Sequence, residues 1–192
     1  LALSGEDVDR QARVLARFRE HAVDGVIVVP AEGASPALLR SPGHGDLPCV
    51  QVLRAVDGAG TDFVGADNIL GTRLATEHLF VAGGAHTSVA RDRKAGYLAA
   101  MAASGCPASV IECVNTKAAA AAAVSERLRR SDPPTGLVCF NDPTAMGAMV
   151  GIHQAGLAPG VDVSVLGCDG IADAALVHPA LTTNAIEPMG LG

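Results

Sequence analysis

Apolar positions recur along this chain in two rhythms. From Glu6 to Ala22 the apolar residues Val14, Leu15 and Phe18 stand among arginines at helical spacing, which predicts a helix. The run "DGVIVVP" (Asp24 to Pro30) is short, β-branched and bounded by Gly and Pro, which predicts a buried strand. "LPCVQVL" (Leu47 to Leu53) and "DFVGAD" (Asp62 to Asp67) predict two more, and Asp67 or Asn68 can cap a helix running to about Leu79. "LFVAGG" (Leu79 to Gly84) is again strand-like. A helix from about Ala90 to Ala103 follows, stopped by Gly105 and Pro107. Next come the strand "SVIECV", a cap at Asn115 or Thr116, and a helix ending near Arg130. "TGLVCF", a helix from Pro143 to Ala155 with Gly156 as its stop, and the strand "DVSVLG" complete the series. Strands alternating with helices predict βαβ units and a parallel sheet. The alanine run Ala118 to Ala123 carries helical propensity and suggests no function.

Composition narrows the architecture. Apolar residues are 49% of the 192, but aromatics are 3% and Trp is absent, so the interior is built of Val, Leu, Ile and Ala. That palette suits parallel strands covered by helices on both faces. The length fits one domain or two small lobes, and such a chain buries roughly 70% of its unfolded surface without a disulfide or metal staple. The net charge of −6 offers no basic stripe to neutralise phosphates, which argues against nucleic-acid binding by this chain itself. Arg127, Arg129 and Arg130 sit at a helix end, where cations complement the helix dipole. The five cysteines are odd in number and make no C-x-x-C pair, and Cys49, Cys139 and Cys168 fall in or just after strands. They read as reduced, small apolar residues of a cytoplasmic protein. No apolar run approaches a membrane span. The six histidines show no metal-ligand spacing. "GAGTDF" lacks the third glycine of a dinucleotide fingerprint and follows no strand, and no G-x-S-x-G elbow is present, so neither a cofactor nor an enzyme is expected.

Ligands of parallel α/β sheets bind outside the carboxyl ends of the strands. Asn141 follows "GLVCF", Asp169 follows "VSVLGC", and Arg91 and Arg93 open the helix after "FVAGG". Asp142-Pro143 reads as a helix start, with Asp142 as N-cap and Pro143 at N1, which leaves the Asn141 amide to face a ligand hydroxyl. Asp169 can also be read as a turn residue beside Gly170, and Arg93 as a surface helix residue, a description that suits Arg91 better. Arg54, after "CVQVL", is a weaker candidate from the opposite lobe. Phe63, Phe80 and Phe140 read as core.

"VDGVIVVP", "VGADNILGTRLATEHL", "PTGLVCFNDPTAMGAM", "PGVDVSVLGCDGI" and "HPALTTNAIEPMG" resemble, in order, the effector-binding domain of LacI-family transcriptional regulators. "SVARDRKAGYLAAM" is similar to that family's arginine-bearing helix start. The resemblance implies the periplasmic-binding-protein type I fold: α/β, two Rossmann-like lobes with parallel sheets joined by strand crossovers. It implies ligand contacts at Arg93, Asn141 and Asp169, with Arg54 and Arg91 as further candidates. It also implies a small polar effector such as a sugar in an inter-lobe cleft, a change of lobe orientation on binding, a homodimer, and operator DNA bound through a helix-turn-helix that lies outside this chain.

On that pattern the first lobe holds residues 1–64 with 184–192 returning to it, and the second holds 65–183. Crossovers fall near Phe63 to Ala66 and Thr182 to Asn184. The family has a first strand before the opening helix, residues between Leu79 and Phe80, and a closing helix and strand beyond Gly192, so the sequence is expected to be part of a longer chain. The rival is a periplasmic sugar-binding protein of an ABC transporter. Unpaired cysteines, and motifs closer to the regulators, weigh against it.

Overall fold

The computed structural model describes residues 1–40, 47–66, 68–69, 79–83 (backbone only) and 87–186. Among the described residues there are two parallel sheets, of three and five strands. The fold is α/β and periplasmic-binding-protein-like.

In the first compact unit, helix α1 (Val8–Glu20) starts at Asp7, whose carboxylate accepts from the Arg10 amide at 2.8 Å. Strands β1 (Val26–Val28), β2 (Cys49–Val52) and β3 (Asp62–Val64) pair in that order, with Val26 opposite Cys49 and Val50 opposite Asp62. Leu15, Val28, Leu39 and Ala59 form its core. Two glutamines that apolar periodicity passes over are buried here. Gln11 donates to the Val29 carbonyl at 2.9 Å and accepts from the Ala31 amide at 3.0 Å, fixing the exit from β1. Gln51 donates to Thr61 Oγ1 at 2.8 Å and accepts from the Val56 amide at 2.6 Å. A short helix α2 (Pro36–Leu39) also escaped the periodicity, because four residues are too few to show one.

In the second unit, β4 (Leu79–Gly83), helix α3 (Ser88–Ser104), β5 (Val110–Cys113), helix α4 (Lys117–Leu128), β6 (Gly136–Cys139), helix α5 (Asp142–Gln154), β7 (Ser164–Asp169), a 3-10 turn (Ala172–Ala175) and β8 (Thr182–Ala185) follow one another. The sheet runs β5-β4-β6-β7-β8, all parallel. Alternation along β6 explains its coverage. Leu137 and Cys139 pack with Val124, Leu128, Met149 and Ile152 of α4 and α5, whereas Val138 packs with Tyr97 and Met101 of α3. Both faces are thus covered, as a parallel sheet requires. The stretches expected to hold the crossovers, near residues 63 and 182, contain strands β3 and β8.

The alanine run has a structural use after all. Ala120 and Ala121 are buried on α4, and α5 lies against that helix so closely that a Cβ on Gly147 would stand 2.3 Å from the Lys117 carbonyl oxygen. At Gly151 the corresponding distance to the Ala121 carbonyl oxygen is 2.5 Å. Leu79 is strand rather than helix end. The rest of the helix predicted up to it, and the join proposed there, lie outside the described residues.

Candidate functional site

Helix α3 begins close after β4, at the carboxyl edge of the five-stranded sheet. Arg93, Tyr97 and Met101 are four residues apart and therefore share one face. All three are buried, which makes Arg93 the charged end of an otherwise apolar stripe. Tyr97 anchors the stripe, its hydroxyl donating to the Ser109 carbonyl at 2.9 Å and accepting from the Ser109 amide at 2.8 Å.

Arg93 is 3% exposed and held by several partners. Its Nη2 donates to Asp169 Oδ1 at 2.8 Å, its Nε to Asn68 Oδ1 at 2.9 Å, and its Nη1 to the Phe140 carbonyl. The guanidinium carbon stands 5.2 Å from the centre of the Phe140 ring, a cation–π distance, so Phe140 serves the site as well as the core. Asp169 lies at the end of β7 with φ of +128°, a backbone conformation that L residues rarely adopt. Such an outlier persists where surrounding contacts over-determine it, and it marks candidate functional positions. The Asp169 side chain is 35% exposed. Burial lifts its carboxyl above the ordinary range; Arg93 opposes that rise and nearby Asp142 adds to it.

The cap predicted at Asp142 is supplied by Asn141. Asn141 is extended (φ −152°, ψ 174°) and is the N-cap of α5, its Oδ1 accepting from the Thr144 amide at 2.9 Å. Asp142 is already helical at N1, and Pro143 is at N2. The Asp142 carboxylate points into the fold rather than capping the helix. There it accepts from Thr183 Oγ1 at 2.6 Å and from the Ile171 amide at 2.9 Å, fully buried. Gly167 of β7 makes room for it, since a Cβ there would lie 2.2 Å from Asp142 Oδ1. Thr116, not Asn115, caps α4, its hydroxyl accepting from the Ala119 amide at 3.1 Å. Asn115 is left to interact with α5: its Oδ1 accepts from Asn141 Nδ2 at 3.3 Å and from Thr144 Oγ1 at 3.2 Å.

Arg93, Asp169 and the Phe140-Asn141 junction therefore meet at the tips of β6 and β7. The other two candidates do not join them. Arg91 is exposed and pairs with Asp92 at 3.0 Å, because it lies two residues from the buried stripe. Arg54 belongs to the first unit, where its two terminal nitrogens hold both Glu6 carboxylate oxygens at 2.8 Å and Nη1 also reaches the Pro30 carbonyl. The guanidinium keeps the Glu6 carboxyl below its usual value. Asn68, Asn115, Asp142 and Thr144 were not read as site residues. The signal for Asn115 was available, since it follows a strand just as Asn141 does.

Residues 74–192 match the family of the periplasmic binding protein-like domain. The chain belongs to this family. Among its relatives, the maltose regulon regulatory protein MalI of Escherichia coli K12 is 32% identical over 168 residues, covering 81% of this chain and 49% of that protein. The transcriptional repressor PurR of Aliivibrio salmonicida is 30% identical over 189 residues, covering 92% and 57%. A crystal structure of a LacI family transcriptional regulator from Mycobacterium smegmatis superposes with a TM-score of 0.78 at 27% identity, covering 92% of this chain and 68% of that one. Within the periplasmic-binding-protein-like family, this chain is a LacI-type effector-binding domain. It spans about half the length of the curated relatives it matches.

Proposed function

We propose that this chain senses a small polar effector, of the sugar class, for a LacI-type transcriptional regulator. The observation that carries the reading is the buried Arg93 clamped to Asp169 at the carboxyl edge of a parallel sheet. A carboxylate held this way accepts from neighbouring hydroxyls, and a guanidinium donates to ring or hydroxyl oxygens. Missing partners in a shielded site cost about 1–3 kcal/mol each, which makes the arrangement selective for hydroxyl pattern. Effector occupancy biases the regulator between states that bind operator DNA differently, through a segment beyond this chain. A homodimer, a cytoplasmic location and the absence of catalysis belong to the same reading. Among the described residues no helix is long and apolar enough to cross a membrane.

The test is a thermal-shift screen of sugars, sugar phosphates and nucleosides against the wild type and Asp169→Ala. The expected result is a compound that stabilises the wild type and not the variant. A compound that stabilises both equally removes Asp169 from the site.

A further inference from the structure

We propose that Thr183 is a positioning residue: from β8, and through the backbone after β7, its hydroxyl holds Asp169 in the conformation that meets Arg93. The inference rests on the effector-sensing reading above and adds to it the device that aims the carboxylate.

Asp169 (φ +128°) and Gly170 (φ +73°) are consecutive residues of positive φ at the end of β7. Glycine adopts such a conformation freely, whereas an aspartate is strained in it and stays there only under restraint. Three hydrogen bonds supply the restraint. The Gly170 amide donates to Thr183 Oγ1 at 3.2 Å, the Ile171 amide to Asp142 Oδ2 at 2.9 Å, and the Ile186 amide to the Asp169 carbonyl at 3.3 Å. Thr183 is the joint of this set. Its oxygen receives the Gly170 N–H, which can only donate, so its own proton goes to Asp142 Oδ1 at 2.6 Å. One hydroxyl thereby holds Gly170 directly and Ile171 through the fully buried Asp142 carboxylate. The strand that carries it is fixed in register, with Cys168 opposite Asn184 and Asp169 opposite Ala185. Without the hydroxyl, the Gly170 amide loses its partner, and the peptide between Asp169 and Gly170 is free to turn. Rotation of Asp169 to an ordinary φ re-aims its Cα–Cβ bond and carries Oδ1 out of its 2.8 Å contact with Arg93.

Thr183→Val keeps the branched shape that suits a strand and removes the hydroxyl, whereas Thr183→Ser keeps the hydroxyl. Titration calorimetry on the whole chain, well below its melting temperature, uses ribose, glucose, maltose, myo-inositol, ribose 5-phosphate and glucose 6-phosphate as probes. It reads the affinity of the folded protein, which a residue that only adds stability does not change. For a compound bound by the wild type, Thr183→Val is expected to lose at least about tenfold in affinity, and Thr183→Ser to stay within about twofold. Wild-type affinity in Thr183→Val, or an equal loss in Thr183→Ser, overturns this inference and leaves the effector-sensing reading standing. Amide hydrogen exchange in the unliganded wild type is a second measurement that depends on no variant. Gly170 is exposed, yet its amide and that of Ile171 are expected to be protected. Exchange of both at the rate of free amides overturns the inference equally. If the wild type binds no member of the panel, the sugar-sensing reading fails and this inference fails with it.

Discussion

Burial and a neighbouring guanidinium pull the Asp169 carboxyl in opposite directions, and burial is the stronger. The raised folded value has two consequences of opposite sign. For folding, a raised carboxyl contributes stability below its ordinary value of about 3.9, and that contribution is lost as pH rises through the folded value. For binding, the ionised form is the one that accepts from a ligand hydroxyl. Affinity is therefore expected to fall on acidification, beginning at a pH above the ordinary carboxylate range, and calorimetry across a pH series measures it. Asp169→Asn keeps an acceptor for Arg93 but has nothing to titrate in that window, so its weaker binding is expected to be flat where the wild type declines. Asp169→Ala differs again, since it removes a partner from a buried guanidinium. The loss is expected to be about 1–3 kcal/mol of folding stability, read by urea unfolding. Arg91→Ala is expected to change neither binding nor stability measurably, because an exposed pair with its chain neighbour contributes little.

At the scale of elements, the packing of α4 on α5 reverses an ordinary propensity rule. In an exposed helix, replacing Gly by Ala gains about 1 kcal/mol. At Gly147 the added methyl group would meet a backbone carbonyl at 2.3 Å, and backbone cannot move aside as a side-chain end can. Gly147→Ala is expected to destabilise by about 1–3 kcal/mol, a fall of roughly 3–12 °C in melting temperature by calorimetry. A rise would mean the two helices are not in this contact. The same helices show how far sequence reasoning reaches. Their existence, their ends and the strands between them follow from apolar period and caps, because those signals are local. The purpose of the alanine run does not, because it lies in a partner helix some thirty residues away. The shift of the cap from Asp142 to Asn141 has a related cause: both are good caps, and the choice was made by Thr183 and the Ile171 amide, brought near only by folding. Arg93 was legible as a residue opening a helix after a strand, but its burial on one face with Tyr97 and Met101 was not. The pairing of Arg54 with Glu6, forty-eight positions apart, was not.

At the scale of the whole molecule, charge and linkage set two expectations. Twenty acidic against fourteen basic side chains leave the chain repelled by phosphate backbones, and the electrostatic part of DNA affinity is then missing. Fluorescence anisotropy at physiological salt is accordingly expected to show no binding of this 192-residue chain to duplex DNA. Binding that weakens with rising salt would place an operator contact inside the chain and contradict the division of labour proposed above. Linkage supplies the complementary measurement. A ligand that binds only the folded state stabilises it by about 2.7 kcal/mol at a concentration a hundred times its dissociation constant. If the effector is held by Arg93 and Asp169, hydrogen exchange should slow most at the start of α3 and at the tips of β6 and β7, where those residues and their supports lie. Protection confined to β1–β3 would instead locate the ligand in the unit that holds the Glu6–Arg54 pair, and the five-stranded sheet would lose its claim to the site.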